Sequence, residues 1–166
     1  MAGIYVHIPF CKRRCSYCDF YSVVSTADSS RYVLALLAEL RLRRDEIALD
    51  DVRTIYIGGG TPSMLSAVEL RRLMEGIAAM VDMSRVEEVT IEVNPDDVDV
   101  DYMKNVVRCG VNRVSMGVQS FVDDELRAVN RRHDSHQALE ALKIIGACGI
   151  DNVSIEYRLD KSGTRY

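Results

Sequence analysis

Three cysteines fall within eight residues near the start of the chain, in the run Cys11-Lys12-Arg13-Arg14-Cys15-Ser16-Tyr17-Cys18. This C-x3-C-x2-C spacing supplies three thiolates and not four. A closed structural zinc site takes four ligands. A cubane iron–sulfur cluster has four irons and usually one cysteine for each. Three thiolates therefore leave one iron without a protein ligand, open to a small molecule, and catalytic metal sites need that kind of opening. The alternative is a zinc knuckle whose fourth ligand comes from His7, Cys109 or Cys148. The spacing, Tyr17 before the last cysteine and the flank Tyr5-Val6-His7-Ile8-Pro9-Phe10 favour the cluster.

Other residues could contribute to such a site. Gly58-Gly59-Gly60 lacks a Cβ at three successive positions, so backbone N–H and C=O groups can approach a ligand closely. The same glycines also serve a tight strand-to-helix turn. They do not form a P-loop, because no Gly-Lys-Ser/Thr follows. Glu92 sits at the end of an apolar run, where a carboxylate is costly unless paired, and this favours a functional role. Taken alone, Arg131-Arg132 could simply be a solvated pair. His133 and His136 flank a helix start and read as capping or solvent-facing groups. His7 is balanced between a structural histidine and a role near the cysteines. Cys109 and Cys148 precede glycines at helix ends and read as small buried hydrophobes.

These residues need elements to position them. Residues 3–8 read as a strand. Asp28 or Ser29 opens a helix reaching about Leu49, with Val33, Leu36, Leu37 and Leu40 on one face. Arg53 to Ile57 is a strand running into the triple glycine. Ser66-Ala67-Val68-Glu69 is a capping-box signal, and Leu70, Leu73, Ile77 and Met80 continue a helical stripe. Glu87 to Val93 is a strand stopped by Asn94-Pro95. A helix from Asp101 to Cys109 stops at Gly110. Asn112 to Val118 is a fourth strand, and Phe121 to Val129 a short helix. A helix opening at Asp134-Ser135-His136-Gln137 turns Leu139, Leu142 and Ile145 inward and ends at Gly149. Val153 to Tyr157 is a fifth strand. Strands alternating with helices predict an α/β fold with a parallel sheet and helices outside. The cysteines follow strand one, the glycines follow strand two, and Glu92 and Gln119 end strands three and four. Chemistry gathers at the carboxyl ends of strands in such folds.

The 166 residues, 48% of them hydrophobic, suit one globular domain with a core. A net charge of −4 offers no electrostatic grip on nucleic acid or an anionic membrane. Arg41-Leu42-Arg43-Arg44 reads as a solvated helix face. No apolar run reaches the ~18 residues of a membrane span. No basic stretch precedes an apolar one at the start, as in a signal peptide. Five cysteines, three of them crowded together, argue against a disulfide scaffold and for a reducing cytoplasm.

The segment Tyr5 to Phe20 resembles the cluster loop of radical SAM proteins. More narrowly, it is similar to the oxygen-independent coproporphyrinogen III oxidase family, in its heme-chaperone (HemW) branch. Tyr56 to Ser63, Ile91-Glu92-Val93-Asn94-Pro95 and Val114 to Phe121 agree in order, so the resemblance covers roughly residues 3 to 156. It implies a radical SAM (βα) barrel, here incomplete, with about five parallel strands. It implies that Cys11, Cys15 and Cys18 hold a [4Fe-4S] cluster whose open iron takes the amino and carboxylate groups of S-adenosylmethionine. One electron would then cleave a carbon–sulfur bond, giving methionine and a 5′-deoxyadenosyl radical. The family's cofactor contacts fall on Tyr5, Tyr17, Gly59, Gly60, Thr61, Glu92, Gln119 and Arg131. Heme or a porphyrin is the further ligand implied, with an electron donor that the sequence does not name.

Two departures shape the expectations. The family's decarboxylating oxidases carry a further cysteine two positions after the third; here that position is Phe20. They also have a long extension before the tyrosine, whereas Tyr5 follows four residues. Both differences favour the heme-chaperone branch. The chain also leaves the family pattern after Val153-Ser154-Ile155. Residues 1–155 are expected to form a partial core domain and residues 156–166 a divergent tail from a truncated product. Glu156 stands where the family has a cofactor-binding Asp and could substitute for it. The family's heme-contacting C-terminal segment is missing, so weak or no heme binding is expected. An inactive fragment is a further reading. An uncovered barrel edge predicts self-association.

Overall fold

In the first strand Ile4, Val6 and Ile8 are directed to one side and Gly3, Tyr5 and His7 to the other, and this two-residue period sets up the whole molecule. The computed structural model describes residues 2–46 and 51–157. Its strands are β1 (Ala2–Ile8), β2 (Val52–Gly59), β3 (Glu88–Val93), β4 (Arg113–Gln119) and β5 (Asn152–Tyr157). They form one sheet in the order β1-β2-β3-β4-β5, every pair parallel. Sequential order with right-handed crossovers puts all connecting helices on the same face. The helices are α1 (Ser29–Leu42), α2 (Ala67–Ala78), α3 (Val100–Arg108), α4 (Asp123–Ala128) and α5 (Ser135–Ala147).

The covered face is built from branched side chains. Ile8, Ile55, Ile57, Ile91, Val114, Met116 and Val118 are fully buried there, against Val33 and Leu37 of α1, Leu70, Leu73 and Ile77 of α2, Met103 and Val106 of α3, and Ala138, Ala141 and Ile145 of α5. The opposite face is polar. Register sets Tyr5 beside Tyr56, Tyr56 beside Thr90, Glu92 beside Ser115 and Gly117 beside Glu156. The expected α/β architecture of five parallel strands with helices outside is the one observed. Residues 158–166 of the expected divergent tail lie outside the described residues.

Several sequence expectations are corrected. Helix α1 stops at Leu42 and not near Leu49, and residues 47–50 of that expectation lie outside the described residues. Its buried stripe is exhausted at Leu40, and Leu42 already lies in solvent. Asp28 takes the cap position of α1, but its side chain makes no cap bond. Met80 falls beyond α2. Leu139 is half exposed; Ala138, Ala141 and Ile145 form the inward face of α5, with Leu142 partly buried beside them. Cys109 and Cys148 are partly and not fully buried, because each caps a helix at the rim of the core.

The capping box at Ser66 and Glu69 is present and also joins two helices. Glu69 Oε2 accepts from the Ser66 backbone N–H at 2.8 Å and from its hydroxyl at 2.7 Å. Glu69 Oε1 accepts from Ser29 Oγ at 2.5 Å and Ser30 Oγ at 2.7 Å, at the start of α1. Burial alone would raise this carboxyl; the four hydrogen bonds overcome it and hold the group down to about 2. A carboxylate depressed in the folded state stabilises fully above its unfolded value and loses that contribution as pH falls. We expect the wild-type chain to lose about 2 kcal/mol between pH 4.5 and pH 2 through this group. Urea unfolding across that range should show this part of the acid limb missing in Glu69→Gln.

Candidate functional site

The carboxyl ends of all five strands open on one edge of the sheet, and there the cysteine loop meets the glycine turn. The loop is closed at its base: Cys11 N donates to Val23 O at 2.9 Å and Val23 N to Pro9 O at 2.7 Å, around an isolated bridge between Phe10 and Val23. Strand β2 leaves the sheet through Gly59 at φ +115°, and Gly60 N donates to Ile8 O at 2.7 Å. A Cβ on Gly60 would lie 2.8 Å from the Pro9 carbonyl carbon. One on Gly59 would lie 2.6 Å from the His7 ring. Glycine is therefore required at Gly59 for its φ and at Gly60 for the close approach of two backbones.

A cleft of about 330 Å³ opens between these segments. Its walls include Cys11, Cys15, Cys18, Tyr17, Gly59, Gly60, Thr61, Glu92, Gln119, Arg131 and Glu156. Tyr5 is not among them. Its ring stacks on Tyr56 at 6.0 Å between centroids and its hydroxyl donates to His7 Nδ1 at 3.2 Å.

A chain of hydrogen bonds ties the cysteines to the strand ends. Thr61 Oγ1 donates to Cys11 Sγ at 3.5 Å and accepts from Asn94 Nδ2 at 3.3 Å. Asn94 Oδ1 accepts from Arg131 Nη2 at 2.8 Å, and Arg131 Nη1 donates to Cys15 Sγ at 3.5 Å. Arg131 also donates to the Gly117 carbonyl, while its buried Nε makes no protein hydrogen bond. Gln119 closes β4 at φ +70°, a left-handed conformation uncommon for a residue with a side chain. Ser115 Oγ donates to Glu156 Oε1 at 3.1 Å.

Glu92 is paired, as its partly buried position demands. Its Oε1 accepts from Tyr56 OH at 2.8 Å and its Oε2 from Gly59 N at 3.0 Å. Burial raises its carboxyl despite those two bonds. Burial, and then the bond to Glu92, push the Tyr56 phenol up to about 12. Burial also lifts Tyr17; Arg131 opposes that, and the bond to Cys15 adds to it.

The geometry removes the proposed fourth zinc ligands. His7 Nε2 donates to Tyr21 O at 3.0 Å, so both its ring nitrogens are engaged. Cys109 and Cys148 sit where α3 and α5 have returned to the amino edge of the sheet, across the fold from the cysteine loop.

The radical SAM superfamily model matches residues 5–159. The chain belongs to that superfamily. This radical SAM chain is 39% identical over 153 residues to the heme chaperone HemW of Lactococcus lactis, covering 92% of the chain and 39% of that relative. It is 36% identical over 156 residues to HemW of Escherichia coli, covering 93% and 41%. The radical SAM enzyme coproporphyrinogen III oxidase (HemN) of Escherichia coli superposes with a TM-score of 0.85 at 31% identity, covering 93% of the chain and 36% of that structure. The chain thus spans about two fifths of the length of these curated relatives.

Radical SAM proteins bind a [4Fe-4S] cluster and S-adenosylmethionine, and the donor set here fits both. Three thiol groups share one cleft, and two of them, Cys11 and Cys15, receive an O–H or N–H donor. The glycine turn and the unpartnered Arg131 Nε offer polar backbone and side-chain groups for the second cofactor.

Sequence reasoning missed Asn94, which it treated only as a strand stop, and Tyr56, whose alternation with Ile55 and Ile57 was the available signal. It also misplaced His133, and the structure removes the solvated-pair alternative for Arg131-Arg132. Arg132 is not solvated: it pairs with Asp96 at 2.9 Å and Asp97 at 3.0 Å. His133 is buried, neither capping nor facing solvent, and its Nε2 donates to Val118 O at 3.0 Å. Burial, helped by the Arg131 charge, lowers it from its usual 6.5 to about 4. A histidine depressed in the folded state binds more protons when unfolded, so stability falls as pH drops through that window. We expect a loss of about 1–2 kcal/mol between pH 6.5 and pH 4, absent in His133→Gln, as read by thermal unfolding at fixed ionic strength.

Proposed function

We propose that this chain holds a [4Fe-4S] cluster through Cys11, Cys15 and Cys18 and presents its open iron to S-adenosylmethionine across the Gly59-Gly60-Thr61 turn. The observation that carries the reading is the continuous run Cys11–Thr61–Asn94–Arg131–Cys15, which ties two of the cysteines to the ends of three strands. When bound, the reduced cluster supplies an electron for cleavage of the sulfonium cofactor. The chain's own residues orient and enclose. Thr61 and Arg131 orient the Cys11 and Cys15 sulfurs through their hydrogen bonds, and Glu92 would accept polar hydrogens of the cofactor's ribose or amine. Gln119 and Glu156, at the ends of β4 and β5, would contribute further polar contacts, and Tyr17 walls the cleft. Tyr5 acts from behind, by fixing His7 and Tyr56.

We further propose that heme is the ligand of the whole protein, in line with the name of the HemW relatives. Phe20 supports this over porphyrin decarboxylation, since it lines the cleft where the oxidases carry a further cysteine. The free state of all five cysteines supports a reducing cytoplasm as the compartment. No helix among the described residues is long and apolar enough to cross a membrane.

Anaerobic reconstitution with iron and sulfide tests the reading. About four irons per chain are expected, with loss of the chromophore in Cys15→Ala. Stable zinc in place of iron, or no cluster at all, would overturn it. Among the described residues β5 pairs only with β4, and Ile155 and Tyr157 on it are exposed. Association through that edge is expected in light scattering, and a monodisperse monomer would contradict it.

A further inference from the structure

Lys12 follows the first cysteine directly, and its ammonium lies 2.5 Å from Asp97 Oδ1. The Asp97 side chain is only 3% exposed. Its second oxygen accepts from Ser63 Oγ at 2.9 Å and from Arg132 Nη2 at 3.0 Å. Arg132 is held in turn by Asp96 Oδ2 at 2.9 Å. These partners come from separate segments. Lys12 belongs to the cysteine loop, Ser63 to the turn Pro62–Met64 after β2, Asp97 to the turn Pro95–Asp97 after β3, and Arg132 to the connection between α4 and α5. An enclosed carboxylate is tolerated only when cations and donors surround it, and what such a cluster secures is geometry more than net stability. Neither Lys12 nor Asp97 lines the cleft.

The three cysteines differ in a way that follows this clasp. Cys11, next to Lys12, is buried, whereas Cys15 and Cys18 are partly exposed. We propose that Asp97 is a positioning residue that pins the cysteine loop through Lys12 and holds Cys11 in its seat before any metal is present. Cys15 and Cys18, which are more exposed, would supply the other two thiolates. The purpose of the clasp rests on the cluster reading above; its mechanical effect on Cys11 does not.

Site-by-site alkylation of the metal-free 166-residue chain with iodoacetamide, followed by peptide mass spectrometry, tests it. Cys11 should be the slowest of the three loop cysteines. Asp97→Asn and Lys12→Met should each speed its alkylation by about tenfold, through easier local opening. The double variant should be no faster than the faster single one, because Lys12 acts through Asp97. Cys109 and Cys148, far from the clasp, should keep their wild-type rates. An unchanged Cys11 rate, independent effects that multiply in the double variant, or an equal rise at Cys109 and Cys148 would overturn the proposal. Lys12→Met leaves Asp97 bonded to Ser63 and Arg132, so it decides the question even where Asp97→Asn folds poorly. No metal enters this experiment. Faster Cys11 alkylation in the variants, together with a wild-type chain that assembles no cluster, would leave the clasp standing and remove the cluster reading.

Discussion

Gly60 has no room for a side chain. Any Cβ there would strike the Pro9 and Phe10 carbonyl groups at 2.8 to 2.9 Å, and the Gly60 N–H is already spent on Ile8 O. This contact between two backbones brings the loop after β1 down onto the turn after β2. Without it the cysteines would not share a cleft with Thr61, Asn94 and Arg131. The left-handed φ of Gly59 gives the chain the direction to make the contact, and the Gly59 N–H then meets Glu92. One steric constraint thus sets the places of the cysteine loop, the glycine turn and a partly buried carboxylate.

The sheet makes this arrangement affordable in physical terms. Apolar residues on its covered face pack against the helices to form the core, so the open face can be given over to polar groups. Each of those is met across the strands: Tyr56 with Glu92, Ser115 with Glu156, and Arg113 with Thr90 at 3.3 Å and Ser154 at 3.0 Å. The parallel register places these pairs side by side, and it shifts only between Ala2 and Gly3 and between Gly117 and Gln119. The buried histidine at 133 extends the same logic to the back of the site by satisfying the Val118 carbonyl next to the left-handed Gln119.

Strand and helix alternation was legible in the sequence, because period-two and period-3.6 patterns report which face a residue takes. The capping box at Ser66 was legible for the same local reason. The candidate site was legible through spacing and resemblance, and the structure gathers the nominated residues on one cleft apart from Tyr5. What pattern alone could not show is which loop meets which. Lys12 and Asp97 are 85 positions apart, and Arg131 and Cys15 are 116 apart. The burial of His133 depends on such meetings, so it read as a capping or solvent-facing residue. The end of α1 was misjudged because helix-forming residues continue past the last one with anything to pack against.

The central claim is that three cysteines leave an iron open beside a cradle for S-adenosylmethionine. Electron paramagnetic resonance of the reduced, reconstituted chain tests it most directly, recorded with and without that cofactor. The account predicts a cluster signal that changes on adding S-adenosylmethionine, because the cofactor becomes a ligand of the fourth iron. A full cluster whose spectrum is identical in both samples would contradict it.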